Sequence, residues 1–199
     1  MSTKVVCDIA VSADGYAAGP GQTADKPFGD GPVDQLTSWM FQTPEENKAE
    51  LDAITAAGAY VMGRNMFGPG RGEWDLDWKG WWGDEPPYHA PVFVLTHHPR
   101  EPLVMGGGTT FTFVTEGIHA ALKQAKEAAG DRDVAIAGGA ATINQYLREG
   151  LIDELRTHVT PVVLGAGERL FDGVPSQNLE IVSARPASLV THITYRFQR

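Results

Sequence analysis

Residues 134–148 limit what this chain can build more than any other stretch. Val134-Ala135-Ile136-Ala137 is a short apolar run that reads as a buried strand. Gly138-Gly139 follows, and then Ile143, Tyr146 and Leu147 recur at helical spacing as far as Gly150. A strand that turns through glycines into a helix belongs to the α/β class. The corner leaves backbone N–H groups uncovered by any Cβ, and the helix N-terminus adds partial positive charge there, so it can seat a phosphate. It can equally serve only to pack a helix on a sheet.

The rest of the chain extends this pattern. Val5 to Val11 reads as a first strand, and a Gly-, Asp- and Pro-rich loop over 12–33 leads towards Trp39 and Phe41. Thr43-Pro44-Glu45-Glu46 predicts a capping box opening a helix to Ala57, stopped at Gly58. Further strands are expected at Ala59–Met62, Pro91–Thr96, Phe111–Val114 and Val134–Ala137, with an amphipathic helix from Thr115 to Ala129. After residue 149 helices cease: Leu151–Val163, Leu179–Ala184 and Leu189–Phe197 read as strands, the last two as a hairpin turning near Arg185-Pro186-Ala187. Parallel strands with helices, followed by an antiparallel tail, give one α/β domain over residues 1–199 with a mixed sheet.

Composition excludes several function classes. A net charge of −9 argues against nucleic acid or an anionic membrane as the main partner. Cys7, the only cysteine, sits in the first apolar run and reads as a packing residue, with no internal disulfide or thiolate metal cluster. No signal peptide and no membrane-length apolar stretch is visible, so the cytoplasm is expected. Residues 68–90 stand apart: Trp74, Trp78, Trp81 and Trp82 lie among Gly, Asp and Pro without periodicity. Such a loop can cover a hydrophobic edge or subunit contact, or wall a pocket for a planar ligand.

Ligands of open parallel sheets bind beyond the carboxyl ends of the strands. Three such ends carry Gly63-Arg64-Asn65, Thr96-His97-His98 and Gly138-Gly139-Ala140. If those strands are neighbours, the set suits a dinucleotide with an extra phosphate: Arg64 forks onto a terminal phosphate, Thr96 and His97 donate to it, and the glycine pair receives the pyrophosphate. No Gly-x-Gly-x-x-Gly follows the first strand and no Walker loop occurs. Adjacent His97 and His98 point opposite ways on an extended segment and lack a third ligand, so a metal is not expected; His119 and His158 read as structural.

From Lys4 to Phe197 the chain resembles the dihydrofolate-reductase-like fold in its riboflavin-biosynthesis reductase branch, the RibD C-terminal type. The pieces that carry the likeness are Ser12-Ala13-Asp14-Gly15-Tyr16, Val61-Met62-Gly63-Arg64-Asn65-Met66-Phe67, Ile136-Ala137-Gly138-Gly139-Ala140, Leu151-Ile152-Asp153-Glu154-Leu155 and the segment from Pro161 to Phe171. The resemblance implies a three-layer α/β/α fold and an NADPH-dependent reductase, often a homodimer. Gly63 and Arg64 would meet the adenosine end, Thr96 and His97 the 2′-phosphate, Gly138, Gly139, Ala140 and Ala141 the pyrophosphate, and Ala10 and Val11 the nicotinamide. Tyr16 stands where riboflavin-pathway enzymes usually place Lys or Arg, and the Trp-rich loop replaces their segment after the second strand. Asp34 sits near the proton-donating carboxylate of folate reductases, and Asp14 is a second candidate through its Asp-Gly turn.

The expectation is therefore hydride transfer from NADPH to a planar heterocycle or carbonyl, pterin-like or 5-amino-6-(5-phosphoribosylamino)uracil-like. Tyr16, Trp39, Phe41 and Trp82 would face this small molecule. A non-catalytic nucleotide- or aromatic-binding protein on the same fold is the alternative, and a purely structural assembly role is a third.

Overall fold

Side chains along β1 (Val5–Ser12) alternate between two faces of a sheet. Val5, Cys7, Ile9 and Val11 enter one apolar cluster, whereas Val6 belongs to a second. The computed structural model describes residues 3–198. Around β1 it assembles β3 (Ala59–Gly63), β4 (Pro91–Leu95), β5 (Leu103–Val104), β6 (Thr110–Val114), β7 (Val134–Gly138), β8 (Glu154–Thr160), β10 (Leu179–Pro186) and β11 (Thr191–Phe197). Among the described residues they form a nine-stranded sheet in the order β10-β11-β8-β1-β7-β3-β4-β6-β5. The run from β8 to β6 is parallel, whereas the β5–β6, β11–β8 and β10–β11 pairs are antiparallel.

The first face is covered by α4 (Ile118–Ala129) and α5 (Ala140–Arg148), which seat Ala121, Leu122, Ala125, Ile143, Tyr146 and Leu147 against Cys7, Val61, Phe93 and Ile136. Short α1 (Ser38–Gln42) and α2 (Lys48–Ile54) lie on the second face at the β8 and β11 side, where Trp39 of α1 packs on His158 and His192 and Arg185 of β10 grips Glu50 of α2. The Trp-rich loop lies over β3, β4 and β6 on that face, with Trp74, Trp78 and Trp82 packed against the cluster of Tyr60, Met62, Phe67, Tyr88 and Phe111. The expected layered α/β fold with its C-terminal hairpin is present.

Four local expectations are corrected. The helix read from Thr43 to Ala57 is shorter, because its capping box is not made. Thr43 Oγ1 donates back to Trp39 O, Asn47 Nδ2 donates to Thr43 O at 2.8 Å, and Glu46 accepts from Ser188 N. These bonds, two of them local and one to the C-terminal hairpin, hold residues 43–47 in turns and helix begins at Lys48. The loop over 12–33 contains β2 (Tyr16–Ala18), paired with β9 (Glu168–Arg169). The strand expected at Leu151–Val163 narrows to β8. The hairpin turns at 187–190, two residues later than expected, closed by Ala187 N donating to Val190 O.

Candidate active site

Three parallel strands end side by side. Met62 registers with Gly138 and Gly63 with Leu95, so the carboxyl ends of β7, β3 and β4 form one rim. A cleft of about 830 Å³ opens along it and onto the second face of the sheet, from Asp8, Ala10 and His158 at one end to Thr115 and Gly117 at the other. That volume suits an extended small molecule.

The phosphate-sized features gather here. Gly138 has φ 109°, a conformation that strains any other residue, and its peptide to Gly139 is cis. A Cβ built on Gly139 would meet no protein atom within 4 Å, so the space beside it belongs to the cleft. Gly63 cannot carry a side chain either: its Cβ would stand 2.2 Å from Thr142 Oγ1. Ala140 and Ala141 open α5 and line the cleft. Their N–H groups belong to the first turn, which has no intrahelical acceptors.

Arg64 opens α3 (Arg64–Phe67) and also lines the cleft, but two of its nitrogens are already engaged. Nη1 donates to Gly72 O and Nη2 to Glu73 O at 3.2 Å, while the guanidinium lies 3.9 Å over the Trp74 ring. Nε is buried without a hydrogen-bond partner. Burial, and secondly the neighbouring Arg71 charge, lower the Arg64 pKa. Arg64 thus ties down the loop, and the exposed Arg71 is the freer cation on this wall. Thr96 spends its hydroxyl in a tight turn, donating to His98 O and accepting from His98 N at 3.1 Å; His97 is exposed at the rim.

The expected residues divide plainly. Ala10, Gly63, Arg64, Asn65, Thr96, His97, Gly138, Gly139, Ala140, Ala141 and Trp82 share the cleft lining. Val11, Asp14, Tyr16, Asp34, Trp39 and Phe41 do not. Val11 points to the opposite face, among the packing of α4 and α5. Tyr16 lies in β2 beside the Arg169 guanidinium. Trp39 is fully buried, its Nε1 donating to Leu36 O, and Phe41 is exposed elsewhere. Asp34 sits exposed in a 3₁₀ turn. Asp14 accepts from Ser12 Oγ at 2.6 Å and from the N–H groups of Leu164 and Gly165. Those bonds, the serine one foremost, lower its pKa to about 2, so it is a fixed anion that pins a loop rather than a source of protons. Cys7 is wholly buried and burial raises its thiol pKa, as suits a packing residue.

Sequence reasoning missed other lining residues. Met40, Ile54, Phe28 and Trp81 supply apolar walls, and Asp8 with His158 sits on the floor. A carboxylate inside the buried run Val5–Val11 was the available signal, since burying a charge is costly without a partner.

The RibD C-terminal domain family matches residues 3–193. The uncharacterized Bacillus subtilis protein YwjB is 43% identical over 179 residues, covering 86% of this chain and 84% of that protein. Among solved structures, a protein assigned to riboflavin biosynthesis from Shewanella sp. PV-4 is similar with TM-score 0.65 and 25% identity, covering 99% of this chain and all of that one. The Saccharomyces cerevisiae riboflavin biosynthesis reductase Rib7 shares the fold at TM-score 0.58 and 16% identity, covering 99% of this chain and 89% of Rib7.

Proposed function

Since this chain belongs to the RibD C-terminal domain family, we propose that its cleft binds NADPH and serves hydride transfer to a planar heterocyclic or carbonyl substrate. The family supports an oxidoreductase. One observation carries the finer reading: the glycine turn at 138–139, the start of α5, the Arg64–Arg71 wall and the Thr96–His97 turn line a single cleft across adjacent strand ends. The residues fit the cofactor. Gly139 leaves open space where a pyrophosphate would approach, with the N–H groups of Ala140 and Ala141 beside it. Exposed Arg71 and His97 can meet the 2′-phosphate. Ala10 and Ala137 leave a flat floor for a ring. When bound, the dihydronicotinamide supplies the hydride; the protein orients both partners and excludes water with Met40, Ile54 and Trp82.

Titration by fluorescence should show NADPH binding more tightly than NADH. Dihydronicotinamide absorbance followed with pterins, 5-amino-6-(5-phosphoribosylamino)uracil and small carbonyls should identify an acceptor. Binding without oxidation by any of them favours the non-catalytic alternative, which gains from the position of Asp14 and Asp34 outside the cleft. The same reading includes a cytoplasmic homodimer; exposed Ile181 and Val182 on edge strand β10 offer it apolar surface, and light scattering measures its mass. No helix among the described residues is long and apolar enough to cross a membrane.

A further inference from the structure

The two ends of the cleft are walled by different parts of the chain. The rim at β7, β3 and β4 carries the glycine turn, the start of α5, Arg64 and Arg71. The other end lies over β1 and β8. Its walls are Ala18 of β2, Phe28, Met40 of α1, Ile54 of α2 and Glu168 of β9, with Glu168 in register with Ala18.

Those walls are mostly apolar. Phe28 is 38% exposed, and Met40 and Ile54 are half-buried, so each turns apolar surface to the cleft. Phe28 belongs to an arm over residues 19–30 that is closed on itself. Gly19 N donates to Phe28 O at 2.8 Å, and Gln22 Nε2 donates to Pro27 O at 2.8 Å. The arm's own bonds therefore hold the Phe28 wall in place. A flat ring seated between such walls removes their apolar area from water.

The charges at this end oppose a second anion. Asp8 is tied to Arg156 at 3.2 Å, and Arg156 also reaches Glu154. Lys26, the cation of the arm, stands 2.6 Å from Asp30, and Arg185 is taken by Glu50. The Arg169 guanidinium lies over the Tyr16 ring, outside the cleft lining. His158 is buried and turned to Asp8 and His192. Glu168 is exposed, lines the cleft and has no ion pair among the described residues.

The lining as a whole has few cations to share. Among the described residues no lysine lines it, and its guanidinium groups are those of Arg64 and Arg71. Arg64 is engaged by loop carbonyls. Arg71 stands where the arm meets the loop after α3, beside Gln22, Pro27 and Trp81. A dinucleotide with a 2′-phosphate claims it. A phosphate on the acceptor brings roughly two further negative charges. They would stand beside Glu168 with no free guanidinium left to meet them, and an unmatched charge is a means of rejecting a ligand.

We propose that the cleft takes an uncharged, flat acceptor without a phosphate, seated on Phe28, Met40 and Ile54, and that Glu168 rejects phosphorylated ones. This rests on the reductase reading and narrows its substrate class.

Calorimetry on the NADP⁺-saturated protein tests it with a matched pair of probes: 5-amino-6-(5-phosphoribosylamino)uracil and the same compound without its phosphate. The phosphate-free compound should bind roughly tenfold more tightly or better. Glu168→Gln should narrow that gap, and Glu168→Lys should close or reverse it. Glu127→Lys on exposed α4, across the sheet, alters net charge equally and should leave the gap as it is. Tighter binding of the phosphorylated compound by the wild type, no binding of either compound, or a gap that neither Glu168 variant moves overturns the proposal. NADP⁺ binding is measured first: its absence sinks the reductase reading and this proposal together, whereas its presence with the phosphorylated compound preferred sinks the proposal alone.

Discussion

One face of one sheet is finished in two different ways. Over β3, β4 and β6 it is dry and aromatic: Phe67, Trp74, Trp82, Tyr88 and Phe111 stack edge to face under a loop without regular structure. Over β1, β8 and β11 it is polar and wired: Asp8, His158, His192, Asn47, Arg185 and Glu50 follow one another in contact. The aromatic half gains stability from area and shape, and tolerates no polar atom without a partner. The polar half fixes proton positions, because each member has its donor or acceptor role set by the next. The cleft crosses both halves, so one end can hold a bulky ligand and the other can do chemistry on it.

The largest effect should come from cutting into the aromatic half. Phe67 is fully buried and touches Trp74, Phe111 and Phe113. Phe67→Ala should lower unfolding free energy by about 3–5 kcal/mol in a denaturant titration. A loss under about 1 kcal/mol would mean that the Trp-rich loop collapses onto the gap and that this half is less rigid than its contacts imply.

Next in size is the contrast between two arginines on the same wall. Arg71→Ala should weaken NADPH by about 10- to 100-fold, the worth of one charge-assisted contact, with NADH and melting temperature nearly unchanged. Arg64→Ala should weaken both dinucleotides and lower the melting temperature, since it also releases the Gly72 and Glu73 carbonyls. Equal behaviour of the two variants would erase the distinction between a loop anchor and a phosphate reader.

In the polar half, Asn47→Ala strands the His192 Nε2–H and should cost about 1–3 kcal/mol, again by denaturant titration. The smallest expected effect is a pH slope. His192 titrates at about 4 in the folded protein, below the ordinary value of about 6.5. Between those values the unfolded chain binds a proton that the folded chain refuses, so its contribution to stability is present near neutrality and is lost as pH falls through that window. Acidification from pH of about 7 to about 4.5 should therefore lower the melting temperature more in the wild type than in His192→Gln. Parallel slopes would show that His192 is not the acid-sensitive member.

Much of the aromatic half's framework and the glycine rim was legible in the sequence, and little of the polar half was. β3, β4, β6, β7, α4 and α5 announce themselves through apolar runs, helical spacing and glycine stops, because each depends on nearby residues. The rim was legible for the same reason: its turns are local, and only the neighbouring of β7, β3 and β4 had to be supplied by the fold. Asp8 and His158 lie on strands far apart in the chain that become adjacent through a parallel pairing, and no local pattern states that register. The expected capping box at Thr43 failed likewise, because Glu46 and Asn47 are claimed by residues of the distant C-terminal hairpin. Asp34 attracted attention by resemblance and Asp14 through its Asp-Gly turn, yet each stands outside the cleft.

The central claim is that the cradle at Gly138–Ala141 receives the phosphates of a dinucleotide. Isothermal titration of NADPH into the wild type and into Gly139→Val tests it most directly, because the added side chain would meet only ligand space. The account predicts saturable one-site binding to the wild type and a loss of roughly 100-fold or more in Gly139→Val, about 2.7 kcal/mol, with an unchanged melting temperature. Equal affinity of the two proteins, or no binding to either, would contradict it.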